Sequence, residues 1–361
     1  MKNKYAFITS TMFSRSNGPA SFALNLYDSN LKDKIDFITE DANDIDDVVK
    51  VKIMISKLFK PIGMVLRSLD YYKCLKNNEA DILIWNFSIL SWYSSFKSIK
   101  KKQIVFVNDP YCLENKIKLN YKSIRLFFFS YFESYAVKKA DLVVTNSEVI
   151  KAMINKKYNI NLKKIKVLLK GVKFTDNKLK TNFTINRGNT IEVSFVKSDF
   201  VSGGLKMLCD ALSINKELKF NIIVIGIKSL PKYFYNYKNV EITLKGKLSQ
   251  NVLKEVIVNT DFFCIPNLKE AFGQANIEAM SLQIPTVILP SKYQKCLHNA
   301  DYCYIPKDLS IIELSSIIND LIMEGESERE KRAKRAREEV LKKYSFDKCL
   351  SNFNKIINEV N

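Results

Sequence analysis

One histidine, His298, serves a chain of 361 residues. A Ser-His-Asp hydrolase or a multi-histidine metal centre has almost no material here. The seven cysteines are odd in number and scattered, with no C-x-x-C pair. Free thiols in a reducing cytoplasm are the natural reading, and a disulfide framework or a zinc site is not. No apolar run approaches the roughly 18 residues that cross a bilayer; the densest, 126–132, is interrupted by Ser130. The opening MKNKYAFITSTMF has no h-region and no small-residue cleavage site, so no signal peptide is expected. There is no G-x-G-x-x-G.

What the chain has in excess is positive charge, +19 overall. It is uneven: 50–126 carries 15 Lys/Arg against 5 Asp/Glu, a local +10, while 40–47 is acidic. An anionic membrane face and nucleic acid both suit such a balance. Nucleic acid is set aside, because no binding module is present and Trp85, Trp92 and most Tyr and Phe residues fall in core-like patterns.

The length and a hydrophobic content of 47% leave room for two domains. A strand over 5–9, a polar loop with Gly18 and Pro19, and a helix over 20–31 form the opening of a doubly wound α/β domain. Strands follow at 35–38, 81–85, 104–107, 142–145 and 165–168, with the clearest helices at 48–59 and 124–139. The basic stretch from Val48 sets Val51, Ile55, Leu58 and Ile62 at helical spacing. It reads either as a membrane-surface helix or as a helix covering the sheet. Polar, aperiodic 171–190 reads as the interdomain linker. The alternation then restarts, with strands at 191–196, 221–225, 240–244, 261–265, 286–289 and 302–305, and helices at 204–212 and from Ser249 to Val258. Charge-rich 328–343 reads as a solvated helix with i,i+4 pairs. The segment 346–360 carries Phe346, Leu350, Phe353, Ile356 and Ile357 on one apolar face and must pack on something. The expected divisions are an N-terminal domain 1–171, a C-terminal domain 190–343 and a last helix within 344–361.

The stretch 261–290, DFFCIPNLKEAFGQANIEAMSLQIPTVILP, concentrates the chemistry. A buried strand leads through a loop holding Glu270 to Gly273, which opens a helix with Glu278 in its second turn. Pro285 ends the helix and a further strand follows. A helix start attracts phosphate through its unpaired N–H groups and its dipole. Two acids beside such a start suit a ligand with phosphates and hydroxyls, such as a nucleotide sugar.

PNLKEAFGQANIEAM followed by IPTV resembles the signature of the family 4 glycosyltransferases, P-S-x-x-E-x-F-G, four residues, E-A-M-A, then G-x-P-V. Glu270 and Glu278 fall on its two glutamates. NGPASFALNL (17–26), ESYAVKKADLVVTNSEVIKAMI (133–154), KIKVLLKGVKF (164–174), NVEITLKGKLS (239–249) and KKYSFDKCL (342–350) extend the resemblance along the chain. It implies a GT-B fold: two Rossmann-like domains facing a central cleft, the C-terminal helix crossing back to the N-terminal, acceptor-binding domain. It also implies metal-independent transfer of a sugar from a nucleotide diphosphate sugar to a hydroxyl, with retention of configuration. By resemblance Glu278 holds the ribose and Glu270 the donor sugar. N–H groups around Phe272, Gly273 and Gln274 face sugar and phosphate, Gly18 faces the diphosphate from the other domain, and Lys245 and Gly246 face the base.

The pattern is broken where the family supplies cations. In FVKSDFVSGGLKML (195–208), Ser198 stands at the usual arginine and Gly203 at the usual lysine. Lys197 and Lys206 are the nearby substitutes, without the arginine fork. Asn108 and Asp109 stand where a histidine and an acid are usual. Gln283 replaces the glycine that ends the key helix, and Tyr293 and Gln294 replace a Gly-Gly pair. His298, beyond them, reads as a surface or loop histidine. Two functions follow from the resemblance. One is an active transferase acting on a bacterial surface glycan or glycolipid, peripheral on the inner face of the plasma membrane. The other is a weakened relative that serves an active transferase as a partner subunit.

Overall fold

Short runs rich in β-branched and aromatic residues build the first sheet. They are β1 (Tyr5–Ile8), β2 (Ile35–Thr39), β3 (Val48–Lys50), β4 (Ile82–Trp85), β5 (Lys102–Phe106), β6 (Leu142–Thr145) and β7 (Ile165–Val167). YAFI, ILIW and LVVT are buried at every position, as befits parallel strands covered on both faces. All pair in parallel in the order β3-β2-β1-β4-β5-β6-β7, with Phe7 opposite both Phe37 and Ile84. The computed structural model describes residues 4–13, 18–42, 45, 47–54, 63–108, 121–174, 178–268, 272–294 and 298–360, with backbone alone for 121–125.

The chain divides into two units, one of 1–171 with 347–361, the other of 172–346. In the first, one sheet face is covered by the Gly18–Tyr27 helix and by the last helix, Phe346–Asn358. Phe353 sits 6.5 Å from Phe7, 6.0 Å from Phe22 and 6.5 Å from Phe106, ring centre to ring centre. The apolar face of the C-terminal segment thus finishes the core of the first unit. Removing one such ring costs about 3–5 kcal/mol.

The helix expected over 48–59 is not found in its described part. Val48–Lys50 is a strand: its backbone pairs with Phe37, Ile38 and Thr39, and β-branched Val48 and Val49 suit that pleat. Val51, expected on the membrane-facing stripe, is 3% exposed and bonds its N–H to the Thr39 carbonyl. Ile55, Leu58 and Ile62 lie outside the described residues. The next helix among the described residues runs from Gly63 to Leu75.

The second unit holds β8 (Thr190–Val196), β9 (Lys219–Ile225), β10 (Val240–Gly246), β11 (Phe262–Cys264) and β12 (Thr286–Val287), parallel in the order β10-β9-β8-β11-β12. The strand expected at 302–305 reduces to one bridge, Val287 to Tyr304. The polar stretch after Gly171 is part of this unit rather than a free linker. Lys180 donates its N–H to Leu282 and its ammonium to Thr260, Phe183 is buried, and Arg329 holds the Phe183 carbonyl at 2.5 Å. The Glu326–Tyr344 helix has the expected i,i+4 pairs, Glu330–Lys334 and Glu339–Lys343. It is not solvated all round: Ala333, Ala336, Val340 and Tyr344 are buried, and Arg337 donates to the Ser281 carbonyl at the end of the Gln274–Ser281 helix.

That helix ends on Gln283 with φ 62°, the left-handed conformation that glycine adopts without strain. The family glycine at this place has a backbone reason, and Gln283 bears the strain. Gln283→Gly is expected to stabilise the chain by about 0.5–1 kcal/mol, raising Tm by a few degrees in scanning calorimetry. An unchanged or lower Tm would show that the Gln283 side chain offsets its backbone.

Candidate active site

Polar and small residues gather in the second unit where its strands end. After β8 comes Lys197, whose N–H bonds the Ile225 carbonyl at the end of β9. Ser198 follows and is exposed. Asp199 then caps the next turn by accepting from the Val201 N–H at 3.0 Å. At the end of β10, exposed Lys245 is followed by Gly246, whose carbonyl takes the Gly226 N–H at 2.6 Å. In a parallel sheet this carboxyl edge is where ligands sit.

Gly203 is buried. A Cβ there would lie 2.5 Å from the Phe195 ring and 3.0 Å from the Lys197 stem. The residue at the family's lysine position is therefore a packing glycine with no room for a cation. Its neighbour Gly204, at φ 75°, lets the backbone approach the Pro266 carbonyl, which a Cβ would meet at 2.3 Å. This tight step seats the Lys197 turn against the end of β11. Lys206 lies on the exposed side of the Leu205–Ser213 helix, with its ammonium 2.7 Å from Asp210. Asp210 also accepts from the Tyr237 hydroxyl, so the Lys206 charge is already engaged within its own helix.

The Gln274–Ser281 helix follows β11. Gly273 is its N-cap at φ 73°, and a Cβ there would meet Gln294 Oε1 at 3.0 Å and Nε2 at 3.1 Å. Glycine brings no side chain of its own to cap the helix, and the first-turn N–H groups of a helix start seek anions. One turn on, Glu278 accepts from Gln274 Nε2 at 3.1 Å. Burial holds its carboxyl above the usual range, opposed by the Gln274 bond and the Lys254 charge. Phe272 is buried edge-on against Tyr344 at 5.6 Å, which anchors the loop just before the helix. Glu270 lies outside the described residues, as does Asp109.

The other candidates lie at the carboxyl edge of the first sheet. Gly18 begins the helix after β1. Asn108 follows β5 and accepts on its carbonyl from Asn146 Nδ2 at 3.2 Å. Sequence reasoning missed Asn86, just after β4. Buried, it donates to Thr9 Oγ1 at 3.2 Å and to the Pro19 carbonyl at 3.0 Å, tying the loop after β1 to the Gly18 helix start. A polar residue directly after an all-apolar strand was the available signal.

Two family models cover most of the chain: that of the glycosyl transferases group 1 matches residues 178–339, and that of Glycosyltransferase Family 4 matches 30–175. The chain belongs to the group 1, family 4 glycosyltransferases. Protein CapJ of Staphylococcus aureus is 25% identical over 245 residues, which cover 63% of this chain and 60% of CapJ. Sucrose-phosphate synthase from Thermosynechococcus elongatus has the same fold, with a TM-score of 0.79 at 12% identity over 99% of both chains. So has the lipopolysaccharide outer core galactosyltransferase WaaB, at 0.69 and 16% over 99% of both. HepE from Anabaena, solved with UDP and glucose, gives 0.69 at 13% over 99% of both. These likenesses establish for this glycosyltransferase family member the GT-B fold of two Rossmann-like domains.

His298, expected at the surface or in a loop, lies in a loop but is 6% exposed, beside Tyr302 and Tyr344. Neither ring nitrogen has a hydrogen-bond partner among the described residues. A single loop position has no periodicity to betray such burial. Burial, and then the Lys343 charge, push its pKa from 6.5 down to about 4. The unfolded chain therefore takes up the proton first. Stability is full above pH 6.5 and falls as the pH drops toward 4, by about 3 kcal/mol in all. His298→Phe is expected to remove this part of the acid sensitivity in urea melts from pH 7 to 4. An unchanged pH profile would place the sensitivity elsewhere.

Proposed function

We propose that this chain moves a sugar from a nucleotide diphosphate sugar to a hydroxyl of a glycan or glycolipid acceptor, with retention of configuration and without a metal, in the assembly of a bacterial surface polysaccharide. The observation that carries this reading is the helix after β11. Its N-cap is a glycine, which carries no capping side chain of its own, and a carboxylate stands one turn along it. Phosphate suits the first feature and ribose hydroxyls the second. The UDP and glucose held by HepE and the acceptor in the name of WaaB support the same class of donor and acceptor.

As the sugar leaves, negative charge grows on the diphosphate and must be met by donors already in place. Lys197 is the cation assigned to it, with Ser198 and the N–H groups of 273–275; Lys206 is less suited because Asp210 holds it. Glu278 takes the ribose, Lys245 and Gly246 the base, and Glu270 the donor sugar. From the first unit, Gly18 is assigned to the diphosphate, and Asn108 and Asp109 to the donor sugar.

The buried Gly203, with Ser198 in place of arginine, favours one second reading, a binding subunit with weakened catalysis. Thermal melts with UDP, GDP and ADP separate the two. A donor site shifts Tm with at least one of them, by the equivalent of about 2.7 kcal/mol at a hundredfold excess over Kd. Glu278→Ala should weaken that nucleotide about tenfold or more. Glu270→Ala should keep the shift and abolish transfer, and EDTA should leave turnover unchanged. No shift with any of the three nucleotides would favour the subunit reading.

A further inference from the structure

The first unit carries an aromatic face that its own core does not use. The Trp92–Phe96 helix lies on the Tyr121–Lys139 helix, with the Trp92 ring 4.4 Å from Phe132 and Phe96 6.3 Å from Tyr135. Outward from these rings, Phe96 is 55% exposed, Phe127 48%, Phe128 39% and Tyr131 60%. The sequence pattern places most of the aromatic residues in cores; this group is on the surface. Soluble monomers rarely leave so many large apolar side chains together in water without a use for them.

Among the described residues of these two helices and of the segment joining Phe96 to β5, the exposed charges are lysines. Residues 87–108 contain no Asp or Glu. In 121–140 the one acid is Glu133, buried and accepting from Ser88 Oγ at 2.5 Å and the Tyr158 hydroxyl at 2.6 Å. Lys97, Lys100, Lys138 and Lys139 are exposed, and the Lys97 ammonium lies 5.7 Å from the ring centres of both Tyr93 and Phe96. Two copies of this face would bring lysines against lysines. Anionic lipid headgroups complement the lysines, and Trp, Tyr and Phe rings settle at the boundary between headgroup and acyl chain.

We propose that the face formed by Trp92, Phe96, Phe127, Phe128 and Tyr131 docks the chain on an anionic bilayer. The site differs from the Val48 stretch that composition pointed to, where Val51 is buried in the protein. It stands apart from the transfer reaction, because docking can be read with neither donor nor acceptor present.

The chain supplies its own reporter. Of its two tryptophans, Trp85 is fully buried and Trp92 belongs to this face. The test is cosedimentation of the full chain with vesicles of phosphatidylglycerol and phosphatidylcholine, against phosphatidylcholine alone, together with tryptophan emission. Wild type is expected to pellet with the anionic vesicles, with a blue shift from Trp92 that brominated lipid quenches. Combining Phe96→Ser, Phe127→Ser, Phe128→Ser and Tyr131→Ser should lower vesicle affinity about tenfold or more, with Tm unchanged because these rings are exposed. Lys97→Glu with Lys100→Glu should weaken binding to the anionic vesicles while leaving the aromatic rings in place. Three results would overturn the proposal: wild type left in the supernatant with both vesicles, the serine variant binding like wild type, or a serine variant that changes only the sedimentation coefficient of the free chain, which marks self-association instead.

Discussion

A parallel strand covered on both faces has nowhere along its length to present a reactive group. The central strands of the first sheet obey this constraint, and the placement of their polar residues follows from it. β1, β4 and β6 are buried at every position, so the polar residues Thr9, Asn86 and Asn146 appear only once those strands have ended. In the second unit Lys197 follows β8, Gly246 ends β10 and the Gly273 helix start follows β11, all at the same edge. The edge is shared by neighbouring strand ends, so side chains far apart in sequence become neighbours through the sheet order alone.

At the end of β8 the constraint meets a departure from the family. A lysine at 203 would have to displace the Phe195 ring and the Lys197 stem. The loss of the usual cation is therefore built into the packing and could not be reversed by one substitution. The same packing holds the stem of Lys197. Elsewhere the second unit spends cationic side chains on structure: Arg329 binds the Leu321, Ile322 and Phe183 carbonyls, and Arg337 binds that of Ser281. Part of the large positive charge is thus internal capping of helix ends.

Much of this was legible in the residues. Strand runs, the alternation into two units, and the placement of Gly273 and Glu278 depend on local spacing, which a sequence carries directly. The elements that escaped depend on long-range pairing. Val48–Lys50 has a helical apolar period, yet its backbone is claimed by β2. The polar stretch after Gly171 looks free, yet single bonds such as Lys180 N–H to Leu282 pin it down. The apolar face around Phe353 was plain, but its partner sheet lies at the other end of the chain. The burial of His298 escaped because one loop residue carries no pattern. The aromatic group around Trp92 was misjudged because exposed and buried rings look alike in a list of letters.

The position of Phe353 has a further consequence, for biosynthesis. The helix that closes the first core leaves the ribosome only after the whole of the second unit. At about 5–20 residues per second, residues 172–346 take roughly ten to thirty seconds to emerge. During that time Phe7, Phe22 and Phe106 lack the ring that finally meets them. The unit second in sequence can therefore complete its core first, while the nascent first unit holds an open strip of phenylalanines that chaperones recognise.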